Sequence, residues 1–294
     1  PRVLAARSYL RRILMVKVKK ILRIVSCVLS LMLVYAYLCF VFIPKDVSDW
    51  GGDKYYHAKG FIGEPDDSLD IIMFGHSGVY SGFSPVTLYK EYGYTSYASS
   101  TASQPIKKIN DLLEKAVKRQ KLKVVFLDVD CLYVRFPLIR YYDSLFAPFV
   151  FHARWKNLKP RDFYLAPGVR TQDVTKGYKF SAEISGYQPG EYMGKADAKP
   201  AAPKKVHLSG LNRFVKICRK NDIQIVFSEF ANATSWSYAR HNFIQQYADA
   251  HGIDFLDMNI PNDRYQADFA RDFQDKANHY NVYGAEKATR YLGR

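Results

Sequence analysis

The sequence predicts an α/β protein: a three-layer, flavodoxin-like fold with a five-stranded parallel sheet, preceded by one transmembrane helix. Three observations carry this. Short apolar runs alternate with helical patterns from residue 69 to the end, which implies right-handed βαβ crossovers. The runs are apolar throughout rather than alternating with polar residues, as in strands covered on both faces. Near the start, Ile24 to Ile43 is an uncharged apolar stretch of 20 residues, long enough as a helix to cross the roughly 30 Å hydrocarbon layer.

Charge gives this stretch a direction. The net charge of +15 is concentrated: Arg2, Arg7, Arg11, Arg12, Lys17, Lys19, Lys20, Arg23 and Lys45 precede the first acid, Asp46. The remainder holds 34 basic and 28 acidic residues, a mild excess that makes nucleic acid an unneeded partner. Residues 1–23 read as a basic cytoplasmic arm and residues 24–43 as a signal anchor, with the rest of the chain extracytoplasmic and the membrane as its first partner. A cleaved signal peptide is the alternative. The apolar run exceeds an ordinary signal core, and no small-X-small cleavage pattern follows it. Residues 44–68, with Gly51, Gly52, Gly60 and Gly63, read as a linker.

In residues 69–294 the expected strands are 70–74, 94–98, 123–129, 223–227 and 253–256. The expected helices are 84–92, 104–120, 208–221, 235–250 and 282–292. Ser84-Pro85 forms a good cap and first-turn pair. Residues 133–206 interrupt the alternation. They read as an insertion at the carboxyl edge of the sheet, a candidate lid or specificity element. Cys27 and Cys39 fall in the apolar span, and Cys131 and Cys218 are expected as buried free thiols rather than a bridge.

The chemistry begins at Asp70-Ile-Ile-Met-Phe-Gly75-His76-Ser77-Gly78, an apolar strand ending in a small-residue turn that displays one hydroxyl. A serine nucleophile needs a base, and the base needs an orienting group. Both stand near the other end of the chain, in Asp272-Phe-Gln-Asp275-Lys-Ala-Asn278-His279, just before the last helix. Phe151-His152-Ala-Arg154-Trp155 in the insertion combines an imidazole, a cation and an indole, a set suited to phosphate or sugar. His57, His207, His241 and His251 lack metal-ligand spacing and no phosphate-binding glycine loop occurs, so neither metal nor cofactor is expected.

Gly75-His76-Ser77 after a strand, with Asp275, His279, Asn281 and Gly284 before the closing helix, resembles the SGNH/GDSL hydrolase superfamily. The likeness is to its membrane-anchored branch, which includes the D-alanyl-lipoteichoic acid biosynthesis protein. The resemblance spans roughly residues 69–293, with its motifs at the two ends. It implies Ser77 as nucleophile, His279 as base and Asp275 as the orienting carboxylate. Gly75, His76, Asp130 and Asn278 are expected among the oxyanion- or substrate-binding residues. Three departures accompany the resemblance. His76 replaces a small or acidic residue. Asp275 lies four rather than three residues before His279, which leaves Asp272 as an alternative. Acids Asp128 and Asp130 stand where an oxyanion-binding amide is expected, so the oxyanion donors are expected from the backbone N–H groups of Ser77 and of the loop from Ser99 to Ser103.

The resemblance further implies an extracytoplasmic serine esterase or O-acyltransferase acting on acyl groups of a cell-envelope polysaccharide or teichoic acid. A membrane-bound O-acyltransferase is the implied protein partner, and the envelope polymer or its acyl donor the substrate. Hydrolysis and transfer remain equally open. A non-catalytic SGNH-like module that binds polymer or scaffolds an acylation complex is the alternative.

Overall fold

The computed structural model describes residues 2–134, 142–169 and 172–294, with side chains from residue 14 onward. It divides into two units, one containing residues 1–45 and 142–167, the other residues 46–141 and 168–294.

The larger unit is built on a five-stranded, all-parallel sheet. Its strands are β1 (Ile71–Gly75), β2 (Ser96–Ser100), β3 (Val124–Asp128), β4 (Gln224–Glu229) and β5 (Asp254–Asp257). Their order across the sheet is β2-β1-β3-β4-β5, with Phe74 opposite both Ser99 and Leu127. All five expected strands are present, each displaced by one or two residues at its bounds.

Strand geometry explains the layers, because successive side chains point to opposite faces. Ile72, Phe74, Val125, Leu127, Ile225 and Phe227 belong to one core. There they meet α4 (Ile106–Ala116), α5 (Lys205–Lys220) and α6 (Tyr238–His251), through residues such as Leu113, Phe214 and Ile244. Ile71, Met73, Phe126 and Val226 belong to the other core. That core is closed by α2 (Ser77–Gly82), α3 (Pro85–Tyr92) and α7 (Val282–Leu292), through Val79, Leu88 and Ala288. Helix α3 starts as its sequence predicts, with Ser84 accepting from the Thr87 N–H at 3.2 Å and Pro85 in the first turn.

Residues 44–68 differ from a linker. From Asp46 on they belong to the sheet unit, carrying a short helix, Gly52–Tyr56, and a 3-10 turn, His57–Gly63. Tyr56, Ala58 and Phe61 are buried there. The apolar residues are sparse and aperiodic, so sequence periodicity does not reveal them, yet each finds a place in the packing.

The smaller unit consists of α1 (Arg2–Phe42) and residues 142–167. Within α1, Leu14–Phe42 is long and apolar enough to span a membrane. The region read as one insertion, 133–206, is thus shared between the units, and residues 135–141, 170 and 171 of it lie outside the described residues. All four cysteines are free, three of them buried.

Candidate active site

In this strand order the chain leaves β1 toward β2 on one side, while β3 lies on the other. Ligand crevices in such sheets open at this reversal, outside the carboxyl ends of the strands. Ser77 stands there as the first residue of α2. Gly75 makes the tight passage possible: a Cβ at this position would lie 2.6 Å from Cβ of Asp128 and 2.5 Å from Val79. Gln104 Nε2 donates to the carbonyls of Gly75 and Ser99, both at 3.0 Å, tying the ends of β1 and β2 together.

The Asp275–His279 pair is formed. His279 Nδ1 lies 2.5 Å from Asp275 Oδ2, and the His279 backbone N–H donates to Oδ1 at 2.6 Å. A short carboxylate contact at Nδ1 puts the imidazole proton there and leaves Nε2 as the basic nitrogen. The four-residue spacing is absorbed by a tight turn in which the Asn278 N–H donates to the Asp275 carbonyl at 3.0 Å. Its two central residues, Lys276 and Ala277, have φ of 43° and 62°, a left-handed conformation costly for side chains other than glycine. The turn is closed below by the antiparallel bridge between Phe273 and Tyr280. It is braced by Ser185 Oγ, which accepts from the Lys276 N–H, and by the Ala233 N–H, which donates to the Ala277 carbonyl. Asp272, the alternative carboxylate, is committed elsewhere: it is buried, pairs with Lys287 and accepts from the Asp268 N–H.

Tyr80, one turn after Ser77 on α2, connects the two ends of the chain. Its ring lies nearly parallel to that of His279, with centroids 6.2 Å apart and planes within 9°. Burial raises the Tyr80 pKa, Ser77 lowers it in part, and Asp275 adds to the rise. Lys179 Nζ lies 5.1 Å from the Tyr80 ring centroid, so part of the 168–206 segment does reach the site.

A second imidazole sits on the other side of the serine. His76 Nδ1 lies 3.3 Å from Ser77 Oγ and accepts the Gly78 N–H at 3.1 Å. Its Nε2 is 3.0 Å from Asp130 Oδ2 and 3.6 Å from Asp128 Oδ2. Burial lowers the His76 pKa, but Asp128 and Asp130 outweigh it and lift the imidazole to about 9. The Gly78 N–H at Nδ1 favours the tautomer with its proton on Nε2, directed at Asp130. The two carboxylates raise the pKa because they favour the cationic ring.

Asp130 departs from the expected oxyanion role. It is buried, accepts from Ser235 Oγ at 2.9 Å and from Arg240 Nη1 at 2.8 Å, and burial is outweighed by His76 and Arg240, which keep its pKa low. An ionised carboxylate would repel a developing oxyanion. Asp128 is pushed up to about 6, by burial first and Asp130 second, against the pull of His76. The buried Ser99 hydroxyl donates to the Ala58 carbonyl at 2.7 Å, so what this loop offers an oxyanion is its backbone N–H groups. Ser103 lies in the loop after β2 with φ of 52°. The Ser77 N–H, in the first turn of α2 where no intrahelical acceptor exists, is the other expected donor. Asn278 is held by Asn232 Nδ2 and Thr234 Oγ1 on its Oδ1, with its Nδ2 3.1 Å from His279 Nδ1.

His152, Arg154 and Trp155 do not form a subsite. They belong to the smaller unit. Arg154 is buried in an ion pair with the equally buried Asp162, His152 Nδ1 bonds the Phe149 carbonyl, and Trp155 is exposed. Sequence reasoning missed Tyr80, Gln104, Ser235 and Arg240. A tyrosine three residues after the serine, on the face of a helix not anticipated there, is the one signal that pointed to any of them.

No protein-family model and no curated protein matches the chain. Solved structures with a similar course include a G-D-S-L family protein from Desulfitobacterium hafniense DCB-2. It is 12% identical, with 76% of this chain and 97% of that chain covered and a TM-score of 0.43. A GDSL-like lipase from Bacteroides thetaiotaomicron VPI-5482 is 10% identical, covering 83% and 96%, with a TM-score of 0.40. A Clostridium thermocellum family 3 carbohydrate esterase is 12% identical, covering 76% and 92%, with a TM-score of 0.38.

Proposed function

We propose that the chain is a serine esterase or O-acyltransferase that works on acyl groups of a cell-envelope polysaccharide or teichoic acid. Ser77 attacks the ester carbonyl, His279 takes the hydroxyl proton and returns it to the leaving alcohol, and Asp275 holds the imidazole tautomer. The Ser77 N–H receives the developing oxyanion. The acyl group then passes from Ser77 to a sugar or polyol hydroxyl, or to water. Helix α1 holds the domain at the extracytoplasmic face, where a membrane-bound O-acyltransferase is the partner that supplies acyl groups.

The observation that carries this reading is the formed Asp275–His279 pair, whose imidazole lies alongside the ring of Tyr80 on the helix that Ser77 begins, although 202 positions separate Ser77 from His279. Catalytic hydrogen bonds often tighten only in the Michaelis complex.

Labelling the full chain with a fluorophosphonate tests the reading. A covalent adduct that disappears in Ser77→Ala supports it. Absence of any adduct on the wild-type chain, together with unchanged envelope acylation in cells carrying Ser77→Ala, overturns it in favour of a non-catalytic polymer-binding module.

A further inference from the structure

The smaller unit contains a surface that the proposed reaction does not use. Residues 142–167 pack along the carboxyl-terminal part of α1, and three side chains of that helix hold them there. Tyr35 Oη donates to the Leu145 carbonyl at 2.8 Å, Cys39 Sγ to the same carbonyl at 3.3 Å, and Tyr37 Oη to the Phe163 carbonyl at 3.2 Å. At 1.5 Å per residue, Tyr35 lies about 12 Å and Cys39 about 6 Å before the end of the apolar stretch at Ile43. Residues 142–167 are therefore level with the last third of the stretch that spans the bilayer if α1 is a membrane anchor.

Their composition and bonding suit that depth. Leu145, Phe149, Trp155, Phe163 and Tyr164 are between 48% and 74% exposed, far more apolar surface than a loop in water needs. Two of the segment's six charged side chains are internal, because Arg154 and Asp162 are buried against each other. Backbone groups at membrane depth must be bonded within the protein. Here short turns do this: the Phe146 N–H donates to the Tyr142 carbonyl, Phe151 to Ala147, Arg154 to Phe151 and Leu165 to Arg161. The tyrosines of α1 take two of the remaining carbonyls. Lys156 and Lys159 are exposed, placed as the long cations that reach from an apolar body to lipid phosphates.

We infer that residues 142–167 form a foot that enters the outer leaflet beside α1, its exposed apolar side chains in contact with lipid. The inference rests on reading α1 as a membrane anchor, and the lipid-facing surface of α1 continues directly into it. A second protein in the membrane is the other way to cover these side chains, and the test separates the two.

The full chain is placed in phosphatidylcholine nanodiscs containing no other protein, in a Cys27→Ser background, with an environment-sensitive NBD label on a single introduced cysteine. Phe149→Cys probes the foot, Trp155→Cys repeats the probe at a second exposed site, Leu31→Cys reports on α1, and Lys216→Cys on α5 is the aqueous control. Doxyl-labelled lipid is expected to quench Phe149→Cys and Trp155→Cys at least about twofold, as it does Leu31→Cys, while Lys216→Cys is unchanged. Quenching at Leu31 but at neither foot position keeps the anchor and overturns the foot, leaving a protein partner to cover it. No quenching at Leu31 overturns the anchor and the foot together. Neither result touches Ser77, whose fluorophosphonate adduct is read separately.

Discussion

Two imidazole–carboxylate pairs belong to the candidate site, and they differ in access to water. The His279–Asp275 pair is open, with side chains 19% and 45% exposed, whereas the His76–Asp130 pair is closed at 10% and 8%. An imidazole that must take a proton, give it to a leaving group and reset needs an open edge and a free nitrogen. His279 has both. His76 has its Nδ1 occupied by Gly78 and its Nε2 by Asp130, which in turn is held by Arg240 and Ser235. The exposed pair is suited to proton transfer, and the buried pair holds the turn that presents Ser77. Similar residues do different work because one sits in a hairpin at the surface and the other in the floor of the sheet.

The largest effect expected from breaking this contrast is at the exposed pair. His279→Ala should lower turnover of a p-nitrophenyl ester by about 10³-fold while leaving the thermal midpoint near wild type. His76→Asn should do the reverse. Loss of the ring leaves Asp130 and Asp128 without their shared partner, and breaking a buried ion-paired network costs about 3 kcal/mol. Chemical denaturation should show that loss, with turnover of the folded fraction changed less than tenfold, an upper bound of about 1.4 kcal/mol.

A smaller effect concerns Asp128. Its pKa rises from 3.8 unfolded to about 6 folded. A carboxyl group raised by folding contributes stability in its protonated form. The contribution is complete below about pH 4 and is lost as pH rises through about 6, amounting at most to about 3 kcal/mol for a two-unit shift. Asp128→Asn, neutral throughout and close in size, should remove this part of the pH dependence. Midpoints measured at pH 4.5 and 7 for both proteins check it. The smallest change is at Tyr80. Tyr80→Phe keeps the ring beside His279 and removes only the hydroxyl, and should reduce turnover by less than about tenfold, the weight of one hydrogen bond.

Both ends of the candidate site were legible because each is local. Gly75-His76-Ser77 follows its strand directly, and Asp275 and His279 lie within a single turn, so spacing alone suggested how they would meet. The roles of Asp130 and Ser99 were not legible. A carboxylate or hydroxyl after a strand serves a substrate or a neighbour depending on what stands opposite, and for Asp130 that is Arg240, 110 residues away. Residues 151–155 were misread for the same reason. A cation, an imidazole and an indole in five positions resemble a binding motif until Asp162 neutralises Arg154 and α1 claims the segment.

The sequence by itself determined the periodic features: five apolar runs, the helices between them, an apolar stretch of membrane length and a serine turn matched to an Asp-His turn. Each follows from residues close in the chain, whose side-chain period and backbone preferences act locally. Only the tertiary structure decided which imidazole is open and which is buried, that the Tyr80 ring lies beside His279, and that residues 142–167 accompany α1. Those outcomes depend on burial and partners brought together across a hundred residues or more, and burial sets whether a polar side chain holds the fold together or remains free for chemistry.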